Sequence, residues 1–377
     1  MSVLNDCVYL CSCAVNNIKP SQERVDTLDM EKLFQFSDSH SLAAVVSIAL
    51  ESVGACPADF KEVRMKSIRK NMMLDYERKK IITFMNENGI WHLPLKGIIL
   101  KELYPQVGMR QMSDNDILYD AAYQERLHDF MAENGYETVR YQDGIVDEYH
   151  KEPLYNFEMH TSLFEGNDGR LPHFHTYYHN IADSLLKESE DSMTMSFSTE
   201  DFYVYLLAHA YKHYTWCGVG VRTLLDSYVY LTKYENSMDW NAIQTACEKL
   251  QIVEFEAQTR KLCKELFEDP EHIEPSSDLE EMLQFYASSG TYGTMENRVA
   301  NQLNEINTGN QPISFKTKIQ YLIRRFTLTD NVWKRLSPFA YKHRWARPFV
   351  RSYHVIRALF TKRKAVKSEF QSLIRKK

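Results

Sequence analysis

Asp114 and Asp116 stand two residues apart at the head of an apolar run, Ser113-Asp-Asn-Asp-Ile-Leu-Tyr119. A β-strand repeats its facing every second residue, so both carboxylates present to the same side. Two carboxylates about 4 Å apart repel by roughly 4 kcal/mol at an effective dielectric near 20, and such a pair persists when a cation or proton neutralises it. Mg²⁺, or Mn²⁺ in its place, takes carboxylate oxygens and brings phosphates as its other ligands. The chemistry that follows is metal-assisted phosphoryl or nucleotidyl transfer, which also asks for a grip on the triphosphate and for a further carboxylate. Gly97 admits close approach of backbone to a phosphate, and Lys96 and Arg110 are cations on the approaches. Further on, Tyr155, Phe157 and Met159 alternate with Asn156, Glu158 and His160. Glu158 therefore lies on the polar face of a half-buried strand and is the candidate third acid, completing the metal site or acting as base.

These side chains need a scaffold, and the hydrophobic pattern supplies one. Residues 20 to 88 read as helical, with Met65, Ile68, Met72, Ile81, Ile82 and Met85 at helical spacing and Gly89 as a stop. A short strand from Ile90 to Leu95, a helix over 98 to 103 and a strand from Ser113 to Tyr119 then form a strand, turn, helix, strand unit. Residues 121 to 133 suit a helix closed by Asn134-Gly135, followed by strands near 136 to 141 and 155 to 163. A capping-box-like Ser198-Thr-Glu-Asp201 opens a second helical part, with helices over 199 to 214, 219 to 234, 238 to 250 and 278 to 287. Loops are expected near 166 to 169 and 268 to 277. Four regions result: 1–89 helical, 90–197 the mixed core, 198–310 helical, and 311–377 a basic helical tail.

His209 and His213 lie four apart on one helical face and could hold Zn²⁺ with His160 or Asp226; packing and hydrogen bonding in a cleft is the plainer role. Arg222 and Asp226 are also four apart, which by default is a helix-surface ion pair, with Arg222 a secondary candidate for a nucleotide phosphate.

The 377 residues, 44% apolar and 25% charged, are ordinary for a globular protein with two or three cores, and exclude a disordered chain. Apolar stretches fall well short of the ~20 residues of a membrane span, so stable insertion is not expected. The start, Met-Ser-Val-Leu-Asn-Asp6, does not read as a secretory signal. Seven cysteines without a CxxC pair suit reduced thiols and a cytoplasmic setting. The net charge of −6 conceals a polarity: residues 311–377 hold 18 Lys and Arg against Asp330 and Glu369, leaving the rest of the chain near −22. That tail could meet a polyanion. Tyr321, Leu322, Phe326, Trp333, Leu336, Phe339, Trp345 and Phe349 would instead give it a packed apolar side, its cations solvated or paired with the acidic body.

Leu95-Lys96-Gly97, Leu103-Tyr104-Pro105, Arg110, Ser113-Asp-Asn-Asp-Ile-Leu118 and Phe157-Glu-Met-His160 together resemble the uncharacterised bacterial nucleotidyltransferases of the polymerase-β-like superfamily. Ser39-His-Ser-Leu42, His209, His213, Arg222, Asp226 and Asp239-Trp240 extend the likeness over most of the chain. The resemblance implies an α+β fold: a polymerase-β-like nucleotidyltransferase core with a small mixed β-sheet, flanked by N-terminal and C-terminal helical regions. It implies a Mg²⁺-dependent transfer of a nucleoside monophosphate from an NTP to a hydroxyl or phosphate acceptor, with Asp114, Asp116 and Glu158 as metal and catalytic residues. Lys96, Gly97, Arg110, His160, His209, His213 and Arg222 are the nucleotide-side candidates. The wider superfamily has Gly-Gly or Gly-Ser where this chain has Gly97-Ile98, so Lys96 would compensate on the phosphates. The acceptor is open between a small molecule, RNA and protein. Two rival readings share these residues: a non-catalytic sensor of NTP or nucleic acid on a degenerate form of the fold, and a toxin-like enzyme acting on tRNA or protein.

Overall fold

The computed structural model describes residues 2–166, 170–190, 192–307, 313–328, 330–361 and 363–375. Part of the loop expected near 166 to 169, and parts of the basic tail, lie outside the described residues. The chain forms two compact units, one of residues 1–211 with 221–287, the other of 212–220 with 288–377.

The first unit opens with helices α1 (Val3–Val15), α2 (Gln22–Asp26), α3 (Met30–Ser39), α4 (Ala43–Ser52) and the 30-residue α5 (Ala58–Glu87). α1 was not expected from the pattern, because it has no polar stripe: Leu4 and Cys7 through Ala14 are all buried. A helix apolar all round belongs inside the fold and gives no amphipathic signal.

The sheet follows as β1 (His92–Pro94), α6 (Gly97–Leu100), β2 (Asn115–Tyr119), α7 (Gln124–Glu133), β3 (Glu137–Arg140), β4 (Val146–Lys151) and β5 (Tyr155–His160). Its order is β1-β2-β5-β4-β3, antiparallel except for the parallel pair β2 and β5. The mixed α+β class thus holds. One face carries Ile117, Tyr119, Tyr149, Phe157 and Met159, packed with Leu74, Ile81 and Met85 of α5 and Leu127 and Met131 of α7. The opposite face carries Asp116, Glu158 and His160.

β4 escaped the sequence pattern because its core-facing side is part polar. Asp147 is buried there, accepting from the Gln142 amide (2.8 Å) and the Gln124 side chain (2.7 Å). Period-two hydrophobicity vanishes when a satisfied carboxylate replaces an aliphatic residue.

Beyond the sheet come α8 (Pro172–Tyr178), a hairpin of β6 (Leu186–Lys187) and β7 (Met195–Ser196), then α9 (Thr199–Tyr214), α10 (Arg222–Tyr234), α11 (Trp240–Leu250), α12 (Val253–Phe267) and α13 (Glu280–Ser289). α12, also not expected, ends against the start of the chain. The Phe267 carbonyl accepts from the Ser12 hydroxyl and from the Asn16 amide, each at 2.7 Å.

The second unit contains α14 (Met295–Ile306), α15 (Phe315–Phe326), α16 (Asp330–Leu336), α17 (Pro338–Lys342), α18 (Arg347–Thr361) and α19 (Arg363–Arg375). Val299, Leu303, Tyr321 and Leu373 make one small core, and Trp333, Ala340 and Ala346 another. The expected packed side of the tail is thus only partly formed: Tyr321 and Trp333 are buried, whereas Phe339, Trp345 and Phe349 face solvent. The side chain of Phe326 lies outside the described set. Among the described residues, no helix is long and apolar enough to cross a membrane.

Candidate metal-binding active site

Helix α5 is the template on which the DxD segment is laid. Ser67 donates to the Gly108 carbonyl (2.8 Å), Asn71 to the Arg110 carbonyl (3.2 Å) and Lys70 to the Ser113 carbonyl (2.8 Å). Further along α5, Arg78 donates to the Asn115 side-chain oxygen at 2.8 Å, while the Asn115 amide reaches the Leu74 carbonyl at 3.5 Å. The middle residue of the DxD faces away from the two acids, as strand geometry requires. It is not incidental: Asn115 is fully buried and ties β2 to α5.

The parallel register places Asp116 beside Glu158, and the antiparallel register places Glu148 of β4 on the other side of Glu158. Three carboxylates therefore sit in a row across three adjacent strands. Glu148 was not among the sequence candidates. The available signal was the triplet Glu148-Tyr-His150, which matches Glu158-Met-His160 ten residues later. His150 bonds Glu148 at 3.0 Å, so that acid already has a partner.

Ligand-capable atoms of Asp116, Glu158 and His160 all lie within 4.8 Å of one another, the group that could hold a metal ion among the described residues. The His160 Nε2 and the Lys96 Nζ each stand 2.9 Å from the same Asp116 oxygen, and His160 is 3.8 Å from Glu158. Asp114 is outside this tight group but electrostatically part of it, since its charge raises Glu158 and is itself raised by Asp116. Tyr205 of α9 is buried and within the field of Lys96, Asp116 and Glu158.

Charge is unevenly divided. Burial, then the charge of Asp116, pushes Asp114 up to about 6. Burial, then Asp116 and Asp114, pushes Glu158 up to about 7, with a hydrogen bond to Asp116 favouring its protonated form. Burial works on Asp116 in the same direction, but Lys96 and His160 hold it well below the usual carboxylate range. Asp116 is the acid held most firmly ionised, while Asp114 and Glu158 keep their protons to higher pH, and a divalent cation would displace those protons.

Lys96 reaches Asp116 from an unusual backbone, φ 43° and ψ −109°, which glycine adopts more readily. A lysine held there costs of order 1–3 kcal/mol. What it provides is a part-buried ammonium on the central acid: burial opposes that charge, and Asp116 raises it above the ordinary lysine range.

Arg110 requires a correction. The spacing offers it to a triphosphate, but its guanidinium is buried and bound in a fork to Asp226, Nε to Oδ1 at 2.8 Å and Nη2 to Oδ2 at 2.9 Å. Asp226 also accepts from the Tyr104 hydroxyl at 2.8 Å, so the carboxylate read from sequence as a partner of Arg222 joins α10 to the segment ahead of β2. Arg222 itself donates to the Gln111 carbonyl at 3.1 Å, and its charge acts on Asp114.

Gly97 is explained by the same fork. A Cβ there would stand 2.4 Å from Arg110 Nη1 and 2.8 Å from Met112 Sδ. The glycine makes room for a protein cation, where the sequence reading made room for a phosphate. Gly97→Ala is accordingly expected to cost about 1–3 kcal/mol by overpacking. Urea denaturation checks this, and an unchanged midpoint would contradict the packing argument.

His209 and His213 lie on α9 and do not join the metal-capable group. The His209 ring is 6.2 Å from that of Tyr205. His40, in the upstream motif, is a buried brace: Nδ1 accepts from the Val221 amide (3.2 Å) and Nε2 faces the Ala287 carbonyl (3.1 Å). Burial pushes it down to about 4, so it stays neutral.

A family model described as uncharacterised nucleotidyltransferase matches residues 26–268, more than half of the chain and all of the site just described. No curated protein and no solved structure matches. The chain belongs to that nucleotidyltransferase family.

Proposed function

We propose that this nucleotidyltransferase is Mg²⁺- or Mn²⁺-dependent and moves a nucleoside monophosphate from an NTP to a hydroxyl or phosphate of an acceptor, releasing pyrophosphate. The observation that carries this reading is the convergence of Asp116, Glu158 and His160 from two parallel strands, with Asp114 in the same field. The donor set suits a hard cation, being mainly carboxylate oxygen, and the raised Asp114 and Glu158 mark negative charge that the protein's own cations leave uncompensated.

Asp114, Asp116 and Glu158 would hold the metal, with His160 orienting Asp116 through its 2.9 Å bond. When bound, the metal would neutralise charge on the phosphates and template the in-line arrangement of attacking and leaving oxygens. Lys96 and Arg222, both in the field of these acids, are the side chains for the triphosphate. Glu158, poised near 7, can take the acceptor's proton when it is not serving as a ligand. Arg110 is assigned to positioning, through Gly97 and Asp226.

Incubation with α-labelled NTP, Mg²⁺ and candidate acceptors tests the reading. Label retained on an acceptor with equimolar pyrophosphate supports it; tight NTP binding without pyrophosphate would replace it with the non-catalytic sensor.

The proton inventory gives a second test. Asp114 and Glu158 bind protons more tightly folded than unfolded, so without metal their contribution to stability falls as pH rises through about 4 to 7. A divalent cation competes with those protons, so stabilisation by Mg²⁺ should be larger at pH 8 than at pH 6. Melting temperatures in EDTA and in excess Mg²⁺ at both pH values measure this. Equal shifts at the two pH values would count against the three-acid site.

A further inference from the structure

The second unit carries an apolar stripe on the wrong side of a helix. On α18, Phe349, Tyr353, Ile356 and Phe360 are 71%, 60%, 55% and 76% exposed, and they recur at i, i+4, i+7 and i+11. That spacing aligns them along one face. Trp345, just ahead of the helix, is 68% exposed and stands edge-on to Phe349 with ring centroids 6.5 Å apart, extending the stripe by one aromatic. On another side of α18, Arg351, His354 and Val355 line a groove shared with α15 and α19. The helix thus turns its larger aromatics to solvent. An ordinary surface helix does the reverse, and a contiguous exposed patch of this kind marks a contact.

Charge decides among occupants. Residues 311–377 carry 18 Lys and Arg against two acids, and Lys342, Arg344, Arg357 and Arg363, within or close in sequence to the stripe, are exposed. A second copy would bring the same positive charge to the same face. A duplex would satisfy the cations but leave the stripe in water, and a single strand would stack bases on the rings but give Ile356 no apolar partner. An anionic lipid surface satisfies both, because aromatics settle at the headgroup boundary while Lys and Arg meet lipid phosphates.

We propose that α18, led by Trp345, is an interfacial helix that seats the protein on an anionic lipid surface, lying in the headgroup plane without crossing the bilayer. Electrostatic attraction and apolar burial act together, so neither suffices alone, as with other single weak anchors. The inference stands independently of the transfer reaction, since none of its residues belongs to the metal-binding group.

Vesicle flotation of the full chain tests it, with phosphatidylcholine alone and with phosphatidylcholine containing phosphatidylglycerol. The expected result is binding that requires the anionic lipid, weakens with added salt, and falls by roughly tenfold or more in Phe349→Ser/Phe360→Ser. Both side chains are exposed, so circular dichroism and melting should match the wild type. Arg357→Glu/Arg363→Glu should lose the anionic preference by the same assay. The proposal is overturned by absence of binding to anionic vesicles, or by binding that ignores the Phe349→Ser/Phe360→Ser change. It is equally overturned if sedimentation shows a dimer that this variant dissolves, or if RNA is bound through the stripe, its affinity lost in Phe349→Ser/Phe360→Ser.

Discussion

Asp116→Asn is expected to lower nucleotidyl transfer by about 10³-fold or more, since several kcal/mol of charge stabilisation at the metal are removed and each ~1.4 kcal/mol is a factor of ten. Asp116 is the acid on which the site's electrostatics turn. It is the one held most firmly ionised, it faces Glu158 across the parallel register, and a single oxygen receives both Lys96 and His160. Its removal leaves the part-buried Lys96 ammonium short of its partner, so a loss of about 1–3 kcal/mol in stability accompanies the loss of activity. Glu158→Gln separates the two effects. Burial and the two aspartates raise Glu158 to about 7, so glutamine resembles its protonated form and relieves repulsion with Asp116. That variant should melt within a few degrees of the wild type and still fail in transfer. Steady-state pyrophosphate release and calorimetric melting on both variants give the comparison. Full activity in Asp116→Asn would remove the metal from the proposal.

What could be read from the chain alone was whatever is encoded locally. The facing of Asp114 with Asp116, and of Glu158 with His160, follows from a period of two, and the structure puts Asp116, Glu158 and His160 within one small volume. Of the helices after Ser198, α9, α10, α11 and α13 announce themselves by periodicity or caps, whereas α12 does not. What stayed hidden depends on partners far away in sequence. Arg110 and Asp226 are 116 positions apart, and no pattern distinguishes an arginine awaiting a phosphate from one awaiting an aspartate. Gly97 was visible as a special residue, but its reason lay in Arg110 and Met112. A period of two only turns Asn115 away from the acids; its role stayed hidden because Arg78, which holds it, sits on a helix that sequence could not dock. β4 and α1 failed for opposite reasons, one having a polar core side and the other no polar side at all. In each case tertiary context overrode the local period.

The fork between Arg110 and Asp226 gives the largest expected stability effect. Asp226→Ala would leave a guanidinium buried without its carboxylate and strip the Tyr104 hydroxyl of its acceptor. Breaking a buried pair from one side costs about 3–5 kcal/mol, whereas replacing both partners by apolar groups of similar volume is often neutral. Asp226→Ala should therefore melt about 10 °C or more below the wild type, at ~2–4 °C per kcal/mol for a domain of this size, and Arg110→Met/Asp226→Leu should recover most of that. The double variant also decides what Arg110 is for. Arg110 Nη1 fills the place a Cβ on Gly97 would take and lies 3.2 Å from Met112 Sδ, two residues before Asp114. A positioning residue of this kind predicts that kcat recovers together with stability while the NTP KM stays near the wild-type value. A residue that grips the triphosphate predicts a KM that remains high however stable the variant becomes, and that outcome would restore Arg110 to the substrate side of the site.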